Sequence, residues 1–207
     1  MIGLRRWACV VVALVAAQRP HPAAADLVAP STPPAVSLEL ERVEVDGELA
    51  GPGAATPLSL DEVRADVRAA WVERYRSAPP APALAMLVAH VAHETGRGAA
   101  MRSYNYGWLG CANGWRSPTI EYVQGRRVRA VARWCAYRDR RAGARAFVAV
   151  VSDLPSVLRA AQAGDPTWYA QALSRAHYYT APPAAYAASL GGLYREQLGA
   201  VRREGRP

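Results

Sequence analysis

The sequence has 207 residues, of which 51% are hydrophobic, and a formal net charge of +8 at pH 7. Its length suits one globular domain with extra segments, and its apolar content excludes a chain that is disordered throughout. The positive charge suits contact with a polyanionic surface, but we find neither a nucleic-acid-binding motif nor an arginine-rich helix with interleaved aromatic residues. We therefore expect no nucleic-acid partner.

The N-terminus has the pattern of a secretory signal. Arg5 and Arg6 precede an apolar run from Trp7 to Ala17, and the alanines at 23–25 offer a cleavage site. The pattern predicts a signal peptide over residues 1–25 and an exported protein, either periplasmic or extracellular. The apolar run is too short to span a bilayer as a helix, so we expect no stable membrane insertion after cleavage. An uncleaved membrane anchor is the alternative.

Cleavage of that signal would remove three arginines and no acidic residue, so the net charge would fall from +8 to +5 (8 minus 3). It would also remove Cys9 and leave Cys111 and Cys135. Two cysteines in an exported protein favour a disulfide bond, and closing this loop would contribute roughly 3 kcal/mol. Two free buried thiols are the alternative, whereas the spacing does not suit a metal site.

The segment that follows, residues 26–58, is rich in Pro, Ala and Gly. It is predicted to be a linker, in which an Asp-Gly pair could turn a short hairpin. Ser59 and Glu62 then form a capping-box pattern, which predicts a helix that starts here and runs to about Arg76. A proline-rich stretch ends this helix.

The stretch 83–98 predicts a helix that ends on a carboxylate. Its apolar residues recur at the spacing of a core-facing helix: Leu84, Leu87, Val88 and Val91. Glu94 follows Leu87 by seven residues, about two helical turns, so its side chain should leave the helix on the same buried face. Gly96 and Gly98 favour the backbone conformation that stops a helix.

The predicted position of Glu94 has a chemical consequence. A carboxylate among apolar side chains is costly to ionise, and the negative end of the helix dipole also opposes its charge, so its pKa should rise. A carboxylic acid that is still protonated near neutral pH is suited to general acid catalysis. The alternative is a surface glutamate in a fraying last turn.

A β-hairpin is predicted next. Residues 104–115 are aromatic and glycine-bearing, which predicts a loop, whereas 119–123 favour a strand, 124–126 a turn and 127–137 a second strand. In the second strand Val128, Ala130, Ala132 and Trp134 alternate with Arg127, Arg129 and Arg133. The two sets should therefore occupy opposite faces of the hairpin. Glu121 lies in its first strand.

The rest of the chain is predicted to be helical. The helices in order are one with an apolar face from Ala144 to Val151, one from Pro155 to Gly164, one that begins at Asp165-Pro166, and a last long one after Pro183. The sequence thus predicts an α+β fold that is predominantly α-helical, with one small β-hairpin lobe, over residues 59–203.

Five short motifs follow one another in this chain. They are His93-Glu94-Thr95-Gly96-Arg97-Gly98, Tyr104-Asn105-Tyr106-Gly107-Trp108-Leu109-Gly110, Thr119-Ile120-Glu121, Ala132-Arg133-Trp134-Cys135-Ala136-Tyr137 and Tyr178-Tyr179-Thr180. In this order they resemble the glucosaminidase domain of bacterial peptidoglycan hydrolases, a family that includes the flagellar muramidase-like domain and many autolysins. The resemblance covers about residues 60–200 and implies a lysozyme-like catalytic domain at 59–203.

The resemblance also implies roles for individual residues. Glu94 matches the family's general acid, Glu121 its second carboxylate and Tyr178 the tyrosine of a late Tyr-x-Thr motif. Residues expected to bind the saccharide are Asn105, Tyr106, Trp108, Trp134, Tyr137 and Tyr179, with Trp115 as a further aromatic candidate. Ala181 departs from the pattern, because an acidic residue often stands there in the family. The implied substrate is the glycan strand of peptidoglycan, cleaved at a β-1,4 bond with N-acetylglucosamine on the glycone side, without a cofactor or metal.

Three alternatives stay open at this point. A lytic transglycosylase would use Glu94 without Glu121, and a wall-binding module would use neither as a catalyst. A metalloenzyme is the third, because His90, His93 and Glu94 share one helix, although their order differs from the zinc motifs HExxH and HxxEH. The separation of the two carboxyl groups, which distinguishes retaining from inverting hydrolysis, does not follow from the sequence.

Overall fold

A computed structural model of the chain describes residues 53–123 and 126–205. In chain order its elements are α1 (Leu60–Tyr75), α2 (Ala81–Glu94), β1 (Gly110–Val123), β2 (Arg126–Trp134), α3 (Arg140–Ser152), α4 (Pro155–Ala163), α5 (Pro166–Arg175) and α6 (Pro183–Glu204). The predicted signal peptide and most of the predicted linker, with its Asp-Gly turn, lie outside the described residues. So do two positions of the predicted hairpin turn, 124 and 125.

The first helix begins where its capping box predicts. The Ser59 hydroxyl accepts a hydrogen bond from the Glu62 backbone N–H (3.2 Å), and the Glu62 carboxylate accepts one from the Ser59 N–H (2.9 Å). Two backbone donors that the helix start would leave unpaired are thereby satisfied. The helix ends before Arg76, which adopts a left-handed conformation.

Helix α2 lies at the centre of the molecule. Every residue from Ala83 to Ala92 is buried, so the helix is enclosed on all sides rather than along a single apolar stripe. It packs against α1, α4 and α6. The last residue of this central helix is Glu94, as the sequence predicts.

The end of α2 is fixed by Thr95 and the two glycines that follow. Thr95 Oγ1 donates a hydrogen bond to the Val91 carbonyl (2.6 Å) and accepts one from the Gly98 N–H (2.9 Å). Gly96 and Gly98 have φ angles of 55° and 87°, in the left-handed region that favours glycine. A Cβ on Gly98 would also overlap the carbonyl oxygen of Leu58. The predicted stop signal is therefore confirmed.

The segment just before α1 lies along the loop that follows α2. The Thr56 N–H donates to the Met101 carbonyl (3.0 Å), and the Ser103 N–H donates to the Ala54 carbonyl (2.8 Å). The last residues of the predicted linker are thus hydrogen-bonded to the folded domain.

The two strands form an antiparallel hairpin with Glu121 opposite Val128. The first strand begins at Gly110, inside the stretch predicted to be a loop, and the second ends at Trp134 rather than at 137. The difference arises from a register irregularity, because Gly110 and Trp115 both lie opposite Trp134 and the residues between them bulge out.

Two features of the chain permit that bulge. A Cβ on Gly114 would overlap the backbone of Trp134, so the close approach requires glycine there. A disulfide bond joins Cys111 to Cys135, whose Cα atoms are 5.0 Å apart. The predicted pairing of these cysteines is confirmed, and the bond ties the base of the hairpin together.

The C-terminal helices follow the prediction closely. Gly164 is left-handed and ends α4, and the Asp165 side chain accepts hydrogen bonds from the N–H groups of Thr167 and Trp168 (2.9 Å each) at the start of α5. The predicted fold class, mostly helical with one small hairpin, is confirmed. Among the described helices, none combines the length and apolar character needed to cross a membrane.

Candidate active site

A cleft of about 390 Å³ lies between the hairpin, the end of α2 and the segment before α6. Its lining residues are His93, Glu94, Gly107, Trp108, Pro118, Thr119, Ile120, Glu121, Tyr122, Trp134, Tyr178, Tyr179, Thr180, Ala181 and Tyr186. The cleft therefore gathers residues from all five motifs, which lie between positions 93 and 180 of the sequence.

Glu94 occupies the inner end of the cleft. Its side chain is 19% exposed, and the Tyr186 hydroxyl donates a hydrogen bond of 2.6 Å to its Oε1. The indole N–H of Trp108 donates to the Glu94 backbone carbonyl (2.5 Å), which the helix end leaves without an internal partner. The carboxyl group is thus held in one place and is largely shielded from water.

Burial raises the pKa of Glu94 to about 7, against an ordinary value of 4.5. The hydrogen bond from Tyr186 acts in the opposite direction, because it favours the carboxylate, but its effect is smaller. A large fraction of Glu94 therefore carries a proton at neutral pH. The arrangement suits a general acid and does not fit a glutamate in a frayed surface turn.

His90 lies one turn below Glu94 and is completely buried. Its Nδ1 forms a 2.9 Å hydrogen bond with the Tyr169 hydroxyl, while its Nε2 faces Glu94 Oε1 at 3.7 Å and has no hydrogen-bond partner among the described residues. Burial lowers the pKa of His90 to about 3, so this ring is neutral and its contact with Glu94 is not an ion pair.

The second histidine on this helix, His93, lines the cleft. Its Nδ1 is 2.9 Å from the Ser189 hydroxyl, and its ring packs edge-on against Tyr186 with centroids 4.3 Å apart. Within residues 53–123 and 126–205, no three or more His, Cys, Asp or Glu side chains are grouped to hold a metal ion. Both histidines instead support the surroundings of Glu94.

Glu121 projects from the inner face of the hairpin. Its Oε2 accepts a 2.6 Å hydrogen bond from the Thr180 hydroxyl, and its Oε1 lies 3.4 Å from the Thr119 hydroxyl. Thr180 Oγ1 also accepts a hydrogen bond from the Tyr122 N–H (2.9 Å). One threonine therefore connects the outer part of the hairpin to the segment before α6 and orients the second carboxylate.

Three tyrosines form the wall on the side of α6. The Tyr178 hydroxyl donates a 2.5 Å hydrogen bond to the Gly107 carbonyl, and a Cβ on Gly107 would overlap that hydroxyl. Tyr179 stacks on Tyr186 with centroids 4.1 Å apart and an interplanar angle of 4°. Burial raises the pKa of Tyr179 to about 12, so this phenol is neutral at physiological pH.

Two tryptophans form the opposite wall. Trp108 has a left-handed backbone (φ 49°), which is uncommon for a bulky residue and marks a held conformation. Its ring packs edge-on against the Trp134 ring, with centroids 5.3 Å apart. The Trp134 indole N–H donates a hydrogen bond to the Ser117 hydroxyl (3.0 Å). The ring of Trp115 packs near that of Trp108, with centroids 6.0 Å apart, but Trp115 does not line the cleft.

Six of the sequence-predicted site residues therefore meet in one cleft: Glu94, Glu121, Tyr178, Trp108, Trp134 and Tyr179. Three others lie elsewhere. Asn105 is buried, and its amide bonds the backbone of Leu109 (2.9 and 2.7 Å) and the Cys135 carbonyl (3.1 Å). This side chain shapes the loop behind the cleft.

Tyr106 and Tyr137 also do not line the cleft. Tyr106 is buried and donates a 2.5 Å hydrogen bond to Asp66 on α1. Tyr137 packs against the core, and burial raises its pKa to about 12. Both aromatic residues therefore contribute to packing around the site rather than to its surface.

The sequence assigned no catalytic part to Tyr186 or Thr180. Tyr186 is 92 positions from Glu94, on a helix whose apolar pattern predicts only a packing role. Thr180 stands inside the quoted Tyr-Tyr-Thr motif, which was its one available signal. Contacts over such distances in the chain depend on how α2 and α6 pack, and no local pattern encodes them.

No protein-family model and no curated protein sequence matches the chain. Solved structures do resemble it. A peptidoglycan hydrolase mutant from Sphingomonas sp. A1 is 26% identical, with a TM-score of 0.49 over 66% of this chain and 99% of that one. A second structure of that Sphingomonas hydrolase is 24% identical, with a TM-score of 0.45 over 70% and 98%. A C-terminally truncated glycoside hydrolase domain from Salmonella typhimurium FlgJ is 22% identical, with a TM-score of 0.45 over 68% and 95%.

Proposed function

We propose that this chain is a peptidoglycan hydrolase that cleaves β-1,4 glycosidic bonds of the wall glycan, in the manner of an endo-β-N-acetylglucosaminidase. The observation that carries the proposal is a sheltered Glu94, with its pKa raised to about 7, in a cleft that it shares with Glu121 and Tyr178. The order of the five sequence motifs supports the same reading. Export to the periplasm or the extracellular space is part of the proposal, from the pattern of the N-terminus.

Glu94 acts as the general acid in this proposal. Its proton passes to the glycosidic oxygen as the bond to the leaving sugar breaks, and the group becomes a carboxylate. The hydroxyl of Tyr186, which donates to Oε1 at 2.6 Å, then stabilises the new negative charge. The ring of His90, beneath the Glu94 carboxyl group, is neutral and adds no charge of its own.

Glu121 takes one of two roles, as a base toward water or as an electrostatic partner of the oxocarbenium-like transition state. Carboxyl groups about 5–5.5 Å apart correspond to retention, and about 6.5–9.5 Å to inversion. The hydrogen bond from Thr180 fixes the direction of this carboxylate. In this proposal Tyr178, whose hydroxyl donates to the Gly107 carbonyl, orients the substrate's acetamido group or the reacting water.

The tryptophan wall suits the sugar itself. The faces of Trp108 and Trp134 border the cleft and offer apolar surfaces on which a pyranose ring packs. Tyr179, stacked on Tyr186, offers a similar surface on the other side. A glycan strand between these walls would place a glycosidic oxygen next to Glu94.

The released product tests this proposal most directly. The full chain is incubated with purified sacculi, and soluble fragments are separated and their ends identified. We expect soluble muropeptides with N-acetylglucosamine at the reducing end. Reducing muramic acid would indicate a muramidase, and an anhydro end without reducing power a lytic transglycosylase. Binding of sacculi without any soluble product would contradict the proposal and favour a wall-binding module.

Replacing the hydrogen-bond donor to Glu94 should move the pH profile. In Tyr186→Phe the interaction that lowers the pKa of Glu94 is lost, while burial still raises it. Because the protonated acid is the active form, the alkaline limb of kcat/KM should shift to higher pH, although kcat should fall as the carboxyl group loses its fixed position. The measurement is a pH series of sacculus hydrolysis.

Tyr194→Phe is the matched control, because Tyr194 lies on the same helix and its hydroxyl lies beside Gly164, where a Cβ would overlap it. Its alkaline limb should coincide with that of the unaltered chain. A limb that stays in place in Tyr186→Phe, or moves to lower pH, would contradict the assigned role of Tyr186.

A further inference from the structure

The outer face of the hairpin is strongly cationic. From Arg116 to Glu121 and from Arg129 to Trp134 exposed residues alternate with half-buried ones, so this part of the sheet has a more buried inner face and a more exposed outer face. The outer face consists of Arg116, Pro118, Ile120 and Tyr122 on β1 and Arg127, Arg129, Val131 and Arg133 on β2. Its residues Pro118, Ile120 and Tyr122 are also among those that line the cleft. Within residues 110–134 the sequence contains a single acid, Glu121, and it belongs to the inner face.

These arginines are not neutralised by the rest of the described chain. On the helices several arginines form ion pairs, including Arg74 with Asp153 and Arg145 with Glu73, but none on the outer face pairs with a described residue. Arg116 and Arg133 even lie directly opposite each other across the strands. Like charges in that position destabilise a hairpin, so folding alone does not account for the arrangement.

Apolar side chains are exposed on the same lobe. Four large apolar residues are exposed in the described part of the chain, and three of them, Ile120, Val128 and Val131, lie on the hairpin. Ile120 is 51% exposed and Val131 56%, and both stand between the arginines on the outer face. A patch that combines exposed aliphatic groups with unpaired cations is typical of a binding surface.

We propose that this outer face adsorbs the protein to an anionic phospholipid surface. The guanidinium groups would bind lipid phosphates, to which their planar donors are matched, and the aliphatic side chains between them would enter the boundary of the acyl chains. The two carboxylates do not belong to the adsorbing face, because Glu121 projects from the inner face of the hairpin and Glu94 occupies the inner end of the cleft. The proposal does not rest on glycosidase activity.

The aliphatic residues favour lipid over a hydrated polyanion. A soluble acidic polymer would satisfy the arginines but would leave Ile120 and Val131 in water. A lipid headgroup region accepts both kinds of group at once. The two partners therefore differ in whether these aliphatic residues contribute to binding.

The test is cosedimentation of the full chain with vesicles made of equal parts phosphatidylglycerol and phosphatidylcholine, or of phosphatidylcholine alone. Three variants are compared with the unaltered chain. The first carries Arg116→Gln, Arg127→Gln, Arg129→Gln and Arg133→Gln, the second Ile120→Ser and Val131→Ser, and the third, a matched control, Arg159→Gln, Arg175→Gln, Arg195→Gln and Arg203→Gln. The control removes the same charge from exposed helical positions that form no ion pair with a described residue. The N-terminal apolar residues are identical in all of them, so differences report on the hairpin.

We expect salt-sensitive binding to the anionic vesicles only. The first variant should bind at least about tenfold more weakly, the second severalfold more weakly, and the control within about twofold of the unaltered chain. Equal losses in the first variant and the control would overturn the proposal, as would no binding to anionic vesicles. If the second variant binds normally, the face recognises charge alone and the lipid proposal fails. Thermal unfolding verifies that the variants fold, and the four-arginine variant should be at least as stable as the unaltered chain because it loses the Arg116–Arg133 repulsion.

Discussion

Glu94→Gln should remove most sacculus hydrolysis while leaving the protein folded. The amide has nearly the shape of the acid and still accepts the Tyr186 hydrogen bond, but it has no proton to give to the leaving oxygen. General acid catalysis contributes about 10²–10⁴-fold to rate, and we expect a loss of this size in kcat. The measurement is the rate of release of soluble muropeptides at saturating sacculus concentration.

The same substitution should stabilise the protein at alkaline pH. Below pH 4.5, the pKa of Glu94 in the unfolded chain, the acid is protonated in both states and does not change the free energy of unfolding. As the pH rises towards about 7, Glu94 ionises in the unfolded state but not yet in the folded state, and the free energy of unfolding falls. Above pH 7 the full cost is roughly 3 kcal/mol, which a glutamine does not incur. Denaturant unfolding at pH 8 and pH 4 should therefore show a gain only at pH 8.

Glu196→Gln is the control for both measurements, because Glu196 is an exposed residue of α6 that pairs with Arg97 outside the cleft. It should retain full activity and show no comparable alkaline gain. Substantial hydrolysis by Glu94→Gln would end the assignment of this residue as the acid. An inactive variant without the alkaline gain would instead contradict its burial.

Removal of the disulfide should have the largest effect on stability. We expect the double variant Cys111→Ser, Cys135→Ser to lose about 3 kcal/mol of unfolding free energy, because the unfolded chain regains the freedom of the loop of 24 positions. Activity should fall as well, since Trp134 and the bulge opposite it depend on that base. Denaturant unfolding with and without a reducing agent measures the first effect.

Cys9→Ser leaves the bonded pair intact and is the matched control. Its unfolding midpoint should equal that of the unaltered chain and should fall by the same amount on reduction. The double variant should in turn be insensitive to the reducing agent. A double variant as stable as the oxidised chain would show that the bond contributes nothing to the fold.

The sequence predicts the framework well because its signals are local. The Ser59–Glu62 capping box, the glycines after Glu94 and the Asp165 cap each act within a few residues, and the structure contains all of them. The alternation of arginines with Val and Ala in β2 likewise predicts which residues lie on each face of the hairpin. These patterns place the acid at a helix end and the second carboxylate on a hairpin.

What the sequence does not predict depends on packing between distant segments. The buried role of Asn105 follows from carbonyls supplied by Leu109 and Cys135, and the early start of β1 follows from the close approach at Gly114. The partners of the two carboxylates, Tyr186 and Thr180, come from a part of the chain that follows both of them. None of these contacts produces a periodic or compositional pattern in the sequence.

The hairpin is fastened in two unlike ways, covalently at Cys111–Cys135 and, farther out, through the hydroxyl of Thr180. Because the disulfide fixes the base and only a hydrogen bond holds the outer part, the outer part of the hairpin can move while the strand register is kept. Thr180→Val would remove the hydroxyl that bonds Glu121 and the Tyr122 N–H. Glu94 would stay in place on its central helix, whereas Glu121 would be free to move. The stereochemical outcome of the proposed hydrolysis would then depend on Thr180 through the position of Glu121.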